Sequence, residues 1–128
     1  GTRVLLVEDN EINQEVASSL MERMGMSVTL AENGLNAVNA CKAKTFDIIF
    51  MDIQMPLMNG YETTAAIRAQ TLHGGQSIPI VAMTANAFAD DAERSRSAGM
   101  NEHLTKPIDA AVLTRTIARY VRGRETNP

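Results

Sequence analysis

Short apolar runs alternate along this chain with longer stretches of helical spacing. The runs fall at Val4–Val7, Ser27–Ala31, Ile48–Met51 and Ile80–Met83, with a weaker one at His103–Thr105. Between the first two, Val16, Leu20 and Met24 recur every fourth residue, and Gly25 supplies a stop. Ala37, Val38 and Cys41 mark a second helix after the Asn33-Gly34 turn, and Ala65, Ala66 and Ala69 a third. Ala87–Ala98 reads as a fourth, ended by Gly99, and Val112, Thr116 or Ile117, and Tyr120 as a fifth with Asp109 as its N-cap. Strands alternating with helices predict a parallel sheet covered by helices on both faces. Runs apolar throughout, such as Ile48–Met51, fit that arrangement, because such strands are buried on both sides. The stretch Thr71–Ser77, with Gly74-Gly75, is the expected flexible connection, and Gly123–Pro128 has no apolar period and reads as a frayed tail or linker.

Composition narrows the class. A chain of 128 residues with 45% apolar and 21% charged residues fits one globular domain, expected over residues 1–122. The net charge of −3 argues against general nucleic-acid binding, which needs clustered cations. The one basic cluster, Arg115, Arg119, Arg122 and Arg124, reads as a solvated helix face. A single cysteine, Cys41, excludes an internal disulfide or a multi-cysteine zinc site and reads as a core residue. No apolar run approaches the ~20 residues of a membrane span. The opening Gly1-Thr2, without Met, points to a domain cut from a longer protein.

Candidate chemistry lies at the strand ends. In open parallel sheets ligands bind outside the carboxyl ends of the strands. The first strand is followed by Glu8-Asp9, the third by Asp52, the fourth by Thr84 and the fifth by Lys106-Pro107. Each residue alone has an ordinary structural reading as a solvated turn, a cap or a surface lysine. Together they bring three carboxylates, a hydroxyl and an ammonium to one rim. At ~4–5 Å and an effective dielectric near ~20, each carboxylate pair costs on the order of 3–4 kcal/mol. Lys106 offsets one charge, so a carboxylate with a raised pKa or a bound cation is expected. Oxygen-only ligands favour Mg²⁺. Asp52, alone at the end of a central strand, is the best nucleophile, and its attack on phosphorus gives an aspartyl phosphate.

The motifs Val4-Leu5-Leu6-Val7-Glu8-Asp9-Asn10, Met51-Asp52-Ile53-Gln54-Met55-Pro56, Met58-Asn59-Gly60, Pro79-Ile80-Val81-Ala82-Met83-Thr84-Ala85 and Lys106-Pro107, in this order, resemble the receiver domain of two-component signalling proteins. The resemblance runs from Val4 to about Tyr120. It implies an α/β, flavodoxin-like (βα)5 three-layer sandwich whose five-stranded parallel sheet has the order 2-1-3-4-5, an order that the general rule for doubly wound sheets already gives for a member of this family. It implies that Asp52 accepts phosphate, and that Asp9, Asp52 and the carbonyl of Gln54 hold Mg²⁺, with Glu8 reaching the metal through water. Thr84 and Lys106 would bind the phosphoryl group, and Lys106-Pro107 would be a cis peptide. His103 stands where many receivers carry the Tyr or Phe that moves on activation, which puts that switch in doubt.

Within the family, Asp9-Asn10-Glu11-Ile12-Asn13-Gln14 and Met51–Pro56 are most similar to receivers of hybrid sensor histidine kinases. That subgroup implies a phosphohistidine donor in a histidine kinase, a histidine phosphotransfer partner, and a cytoplasmic site in a parent chain anchored in the inner membrane. The domain itself would do no more than phosphorylate itself and slowly lose the phosphate. A receiver that stands alone or is linked to an output domain is the alternative. A haloacid-dehalogenase-type phosphatase needs a second Asp where Gln54 stands, and the acidic Glu8-Asp9-Asn10 would repel a flavin phosphate. Ile12, beyond the Val16 stripe and beside the rim, is the expected contact for the phosphotransfer partner.

Overall fold

The computed structural model describes residues 2–70, 75, 77–85, 89–106 and 108–122, with the backbone alone for 89–92 and 122. Five strands, β1 (Arg3–Val7), β2 (Ser27–Ala31), β3 (Ile48–Asp52), β4 (Ile80–Thr84) and β5 (Glu102–Thr105), alternate with five helices. The helices are α1 (Glu11–Arg23), α2 (Gly34–Ala43), α3 (Gly60–Arg68), α4 (Ala89–Ala98) and α5 (Ala110–Ile117), the last continued by a π-helical turn over Ala118–Arg122. The strands are all parallel in the order β2-β1-β3-β4-β5, as expected.

Alternation along the strands builds two cores. Leu5, Val7, Ile49, Met51, Ile80 and Ala82 face α2 and α3. Val4, Leu6, Ile48, Phe50, Val81 and Met83 face α1 and α5, meeting Met21, Leu113 and Ile117. The sheet is therefore a buried middle layer, and its carboxyl edge is where the chain can present polar groups.

That edge is shaped by helix starts. Asn10, Asn33, Asn59 and Asp109 each cap the helix that follows, their side chains accepting from the N–H of Asn13, Asn36, Glu62 and Val112. Such a cap contributes about 1 kcal/mol. Asn59 and Glu62 complete a reciprocal capping box. Gly25 and Gly99 close α1 and α4 at φ +90° and +105°, where a side chain would be strained.

Two helix faces differ from expectation. In α1 the fully buried residue is Met21, supported by Ala17 and Leu20, while Val16 is 62% exposed and Met24 36%. In α3 the buried face is Tyr61, Thr63, Thr64 and Ile67, and Ala65 is exposed, as is Ala69 at the C-cap. Leu113, absent from the expected α5 stripe, is fully buried. The expected flexible connection, apart from Gly75 and Ser77, lies outside the described residues. So do Ala87, Phe88, Pro107 with its expected cis bond, Arg124 and the tail from Gly123.

Candidate functional site

The strand order brings the candidate residues together. Asp52 is the last residue of β3 and Thr84 the last of β4, while Glu8 follows β1 and Lys106 follows β5. Because β1, β3, β4 and β5 are successive neighbours, residues distant in sequence meet at one edge. Carboxylate oxygens of Glu8, Asp9 and Asp52 lie within 4.8 Å of one another. Glu8 and Asp52 are buried and Asp9 is exposed, so the cluster has a closed floor and an open mouth.

Lys106 is shared unequally. Its Nζ lies 2.6 Å from Oε1 of Glu8 and 3.4 Å from Oδ1 of Asp52. Glu8 also accepts from the N–H of Asn10 at 3.2 Å. Burial works to raise the Glu8 carboxyl, but its bonds, led by the one from Lys106, hold it below the usual range. Burial likewise opposes the charge on Lys106, but its hydrogen bond to Glu8 together with the charges of Asp52 and Glu8 outweighs this, so its pKa is raised.

Asp52 takes the consequence. Burial and then the negative charge of Glu8 push its pKa up to about 7, against the pull of Lys106 and of the Gln54 N–H, which donates to Oδ1 at 3.2 Å. The raised carboxyl expected from the charge imbalance is thus Asp52. The donor set is hard oxygen with an excess of negative charge, which fits a small divalent cation such as Mg²⁺ better than a softer metal.

The remaining residues hold the geometry. Thr84 is buried, and its carbonyl accepts from the N–H of Lys106 at 2.7 Å, fixing the base of that side chain. Gln54 lies exposed beside Asp52. His103, paired with Ala82 across the sheet, has both ring nitrogens buried with no hydrogen-bond partner. Three supports were not assigned a role from sequence. The Gln14 side-chain amide donates to the carbonyl of Glu8 at 2.6 Å and pins the acidic turn to α1. Asn10 caps that helix, a role its position three residues before Asn13 foretells. Gly60 packs α3 onto β3 so closely that a Cβ there would lie 2.6 Å from the carbonyl oxygen of Asp52. Beside the carboxylates a cleft of about 410 Å³ opens between α1 and the segment after β5, lined by Asn13, Val16, Ala17, Met83, Lys106 and Ile108 together with Glu8.

A parallel sheet in this order, with an acidic pocket, a threonine and a lysine at its carboxyl edge, defines a class of signalling domain. The chain matches the family model described as "Response regulator receiver domain" over residues 4–118, and it belongs to that family. It is 41% identical over 127 residues to the sensor protein GacS of Pseudomonas syringae pv. syringae and 38% identical over 120 residues to hybrid signal transduction histidine kinase I of Dictyostelium discoideum. These alignments cover 98% and 90% of this chain but 14% and 7% of the relatives, so the chain spans a small part of their length. Among solved structures it is similar to the receiver domain of sensor histidine kinase PA1611 from Pseudomonas aeruginosa PAO1, which has a magnesium ion coordinated in its active-site cleft. The TM-score is 0.88 at 41% identity, covering 95% of this chain and 98% of that one. It is also similar to the receiver domain of Saccharomyces cerevisiae Ssk1, solved with the histidine phosphotransfer protein Ypd1, at TM-score 0.86 and 33% identity, covering 96% of this chain and 90% of that one. Among the described residues no helix is long and apolar enough to cross a membrane.

Proposed function

We propose that this receiver domain takes a phosphoryl group from a phosphohistidine onto Asp52 and relays it to a histidine phosphotransfer partner, within a hybrid sensor histidine kinase. The observation that carries this reading is the raised pKa of Asp52 among two further carboxylates and one shared ammonium. A carboxylate so placed is held in readiness for a cation and a phosphoryl group. An Asp52 Oδ forms the new O–P bond as the P–N bond to the donor imidazole breaks, and the departing imidazole takes up a proton. Asp9, Asp52 and the Gln54 carbonyl would hold Mg²⁺, with Glu8 behind them. The bound ion would neutralise the carboxylates and the charge spread over the transferring oxygens. Lys106, already 3.4 Å from Asp52, and the Thr84 hydroxyl would receive the phosphoryl oxygens.

Residues 1–122 would form the receiver and 123–128 a linker to the rest of a membrane-anchored parent, with this domain in the cytoplasm. On α1, Ile12 is 72% exposed and Val16 62%, and a spacing of four residues puts them on one face. Ile12 does not complete the core. It is an exposed apolar contact beside the pocket, as a docking face for a phosphotransfer helix requires. Treatment with acetyl phosphate and Mg²⁺ should add one phosphoryl group by intact mass, and Asp52→Asn should abolish it. Ile12→Asp should keep that labelling while losing transfer to a phosphotransfer domain. Equal labelling of Asp52→Asn and wild type would sink the assignment of Asp52.

A further inference from the structure

Two Asn-Gly pairs occur in the chain, Asn33-Gly34 and Asn59-Gly60. In such a pair the glycine nitrogen can attack the asparagine side-chain amide, because no Cβ shields the approach. The two sites are alike in most respects. Each asparagine is a helix N-cap and partly exposed, and each glycine is buried. Each side-chain oxygen accepts one backbone N–H, from Asn36 at 2.7 Å and from Glu62 at 2.9 Å. That donor draws charge off the amide carbon and is placed to hold the oxyanion that attack would create. The electrophile is therefore primed at both sites.

The nucleophiles differ. The Gly60 N–H donates to the carbonyl of Ile53 at 2.8 Å, and the Asn59 N–H before it donates to Oε1 of Glu62 at 3.0 Å. Gly60 is also wedged against the carbonyl of Asp52. Its nitrogen must break a hydrogen bond and leave a fixed position before it can turn on Asn59. The Gly34 N–H, at the first position of α2, has no acceptor among the described residues. Its nitrogen gives up no bond in attacking Asn33.

We propose that Asn33 is a site of spontaneous covalent modification, deamidating through a succinimide, and that the fold spares Asn59. The Gly34 nitrogen loses its proton and bonds to Cγ of Asn33. The carboxamide C–N bond breaks, and its nitrogen leaves as ammonia with that proton. Water then opens the ring at either carbonyl carbon and yields aspartate or isoaspartate. The two products differ in effect. Aspartate keeps the cap on α2 and suits the positive end of the helix. Isoaspartate routes the main chain through Cβ and Cγ and lengthens it by one atom. Gly34 has no room to shift, since a Cβ there would run into Oγ1 of Thr63 and lie 3.0 Å from Cβ of Met58. The start of α2 is thereby pushed off α3, the helix whose Gly60 seats against Asp52.

The test is to age the folded chain in mildly alkaline buffer and follow both sites by peptide mass mapping, with isoaspartate detected by an isoaspartyl methyltransferase. Asn33 should convert at least about tenfold faster than Asn59, the factor that one retained hydrogen bond supplies. In urea, which removes the difference in bonding, the two pairs should convert at similar rates. Equal conversion in the folded chain, or faster conversion at Asn59, overturns the proposal. So does a preference for Asn33 that persists in urea, because the fold would then not be its cause. Asn33→Asp should melt as the wild type does, and the isoaspartate-rich aged chain should melt below it. Equal melting of those two would overturn the damage assigned to isoaspartate.

Discussion

The two ends of β1 carry opposite arrangements of charge. At the amino edge, Arg3 meets Asp47 at 3.1 Å, one cation to one carboxylate, with more than half of the arginine side chain in solvent. At the carboxyl edge, one lysine serves three carboxylates, two of them buried. The amino-edge pair leaves no charge unmatched and leaves its cation in water. The carboxyl-edge cluster leaves about two negative charges unmatched, one of them on the buried Asp52, a state that folding alone does not favour. A matched, solvated pair serves the fold, and an unmatched buried cluster marks a place built for a missing positive charge.

Three substitutions test that contrast. The largest effect is expected from Lys106→Met. It strands Glu8 and Asp52 together and should lower stability by about 3 kcal/mol at pH 8, measured by urea denaturation without metal. The loss should shrink at pH 5, where Asp52, with its pKa pushed up to about 7, is protonated. An equal loss at both pH values would show that Lys106 acts by packing alone.

Asp52→Asn should act in the other direction. The folded pKa of Asp52, about 7, lies above its unfolded value of 3.8, so the folded state holds this proton more tightly. This site therefore loses stability as pH rises from the unfolded value to the folded one, and stays low above it. Replacing the carboxylate by a neutral amide should stabilise the metal-free domain at pH 8 on the order of 2 kcal/mol, or about 5–10 °C in Tm. The gain should vanish near pH 4 and narrow when Mg²⁺ is added to the wild type. A variant that melts below the wild type at pH 8 would contradict the imbalance of charge. The smallest effect is expected at the amino edge, where Arg3→Ala should leave Tm unchanged within error in low and high salt alike.

The strands were legible because β1, β3 and β4 are apolar on both faces, a signal that survives errors of a residue or so. The rim was legible for a related reason, since the site residues sit at strand ends and strand ends could be located. Helix faces were harder. Residues four apart on a helix drift about 40°, so Val16, Leu20 and Met24 do not share one direction. The competing stripe of Ala17, Leu20 and Met21 reaches the core instead. In α3 the polar character of Thr63 and Thr64 hid their burial. The hydroxyl of Thr63 bonds to the carbonyl of Asn59 at 2.8 Å, which lets a threonine occupy an interior position. The unequal sharing of Lys106 depends on distances that residue types do not encode.

The bond from Lys106 to Glu8 spans 98 residues of chain. Glu8 follows the first strand and Lys106 follows the last, and β3 and β4 lie between those strands in the sheet. On a ribosome Glu8 emerges early and waits for nearly the whole domain before its partner exists. A contact of such high sequence separation carries a large loop-closure entropy, which the pairing of the intervening strands offsets. The pocket therefore reports completion: a chain that ends before Lys106 lacks the cation that pairs with Glu8 and Asp52.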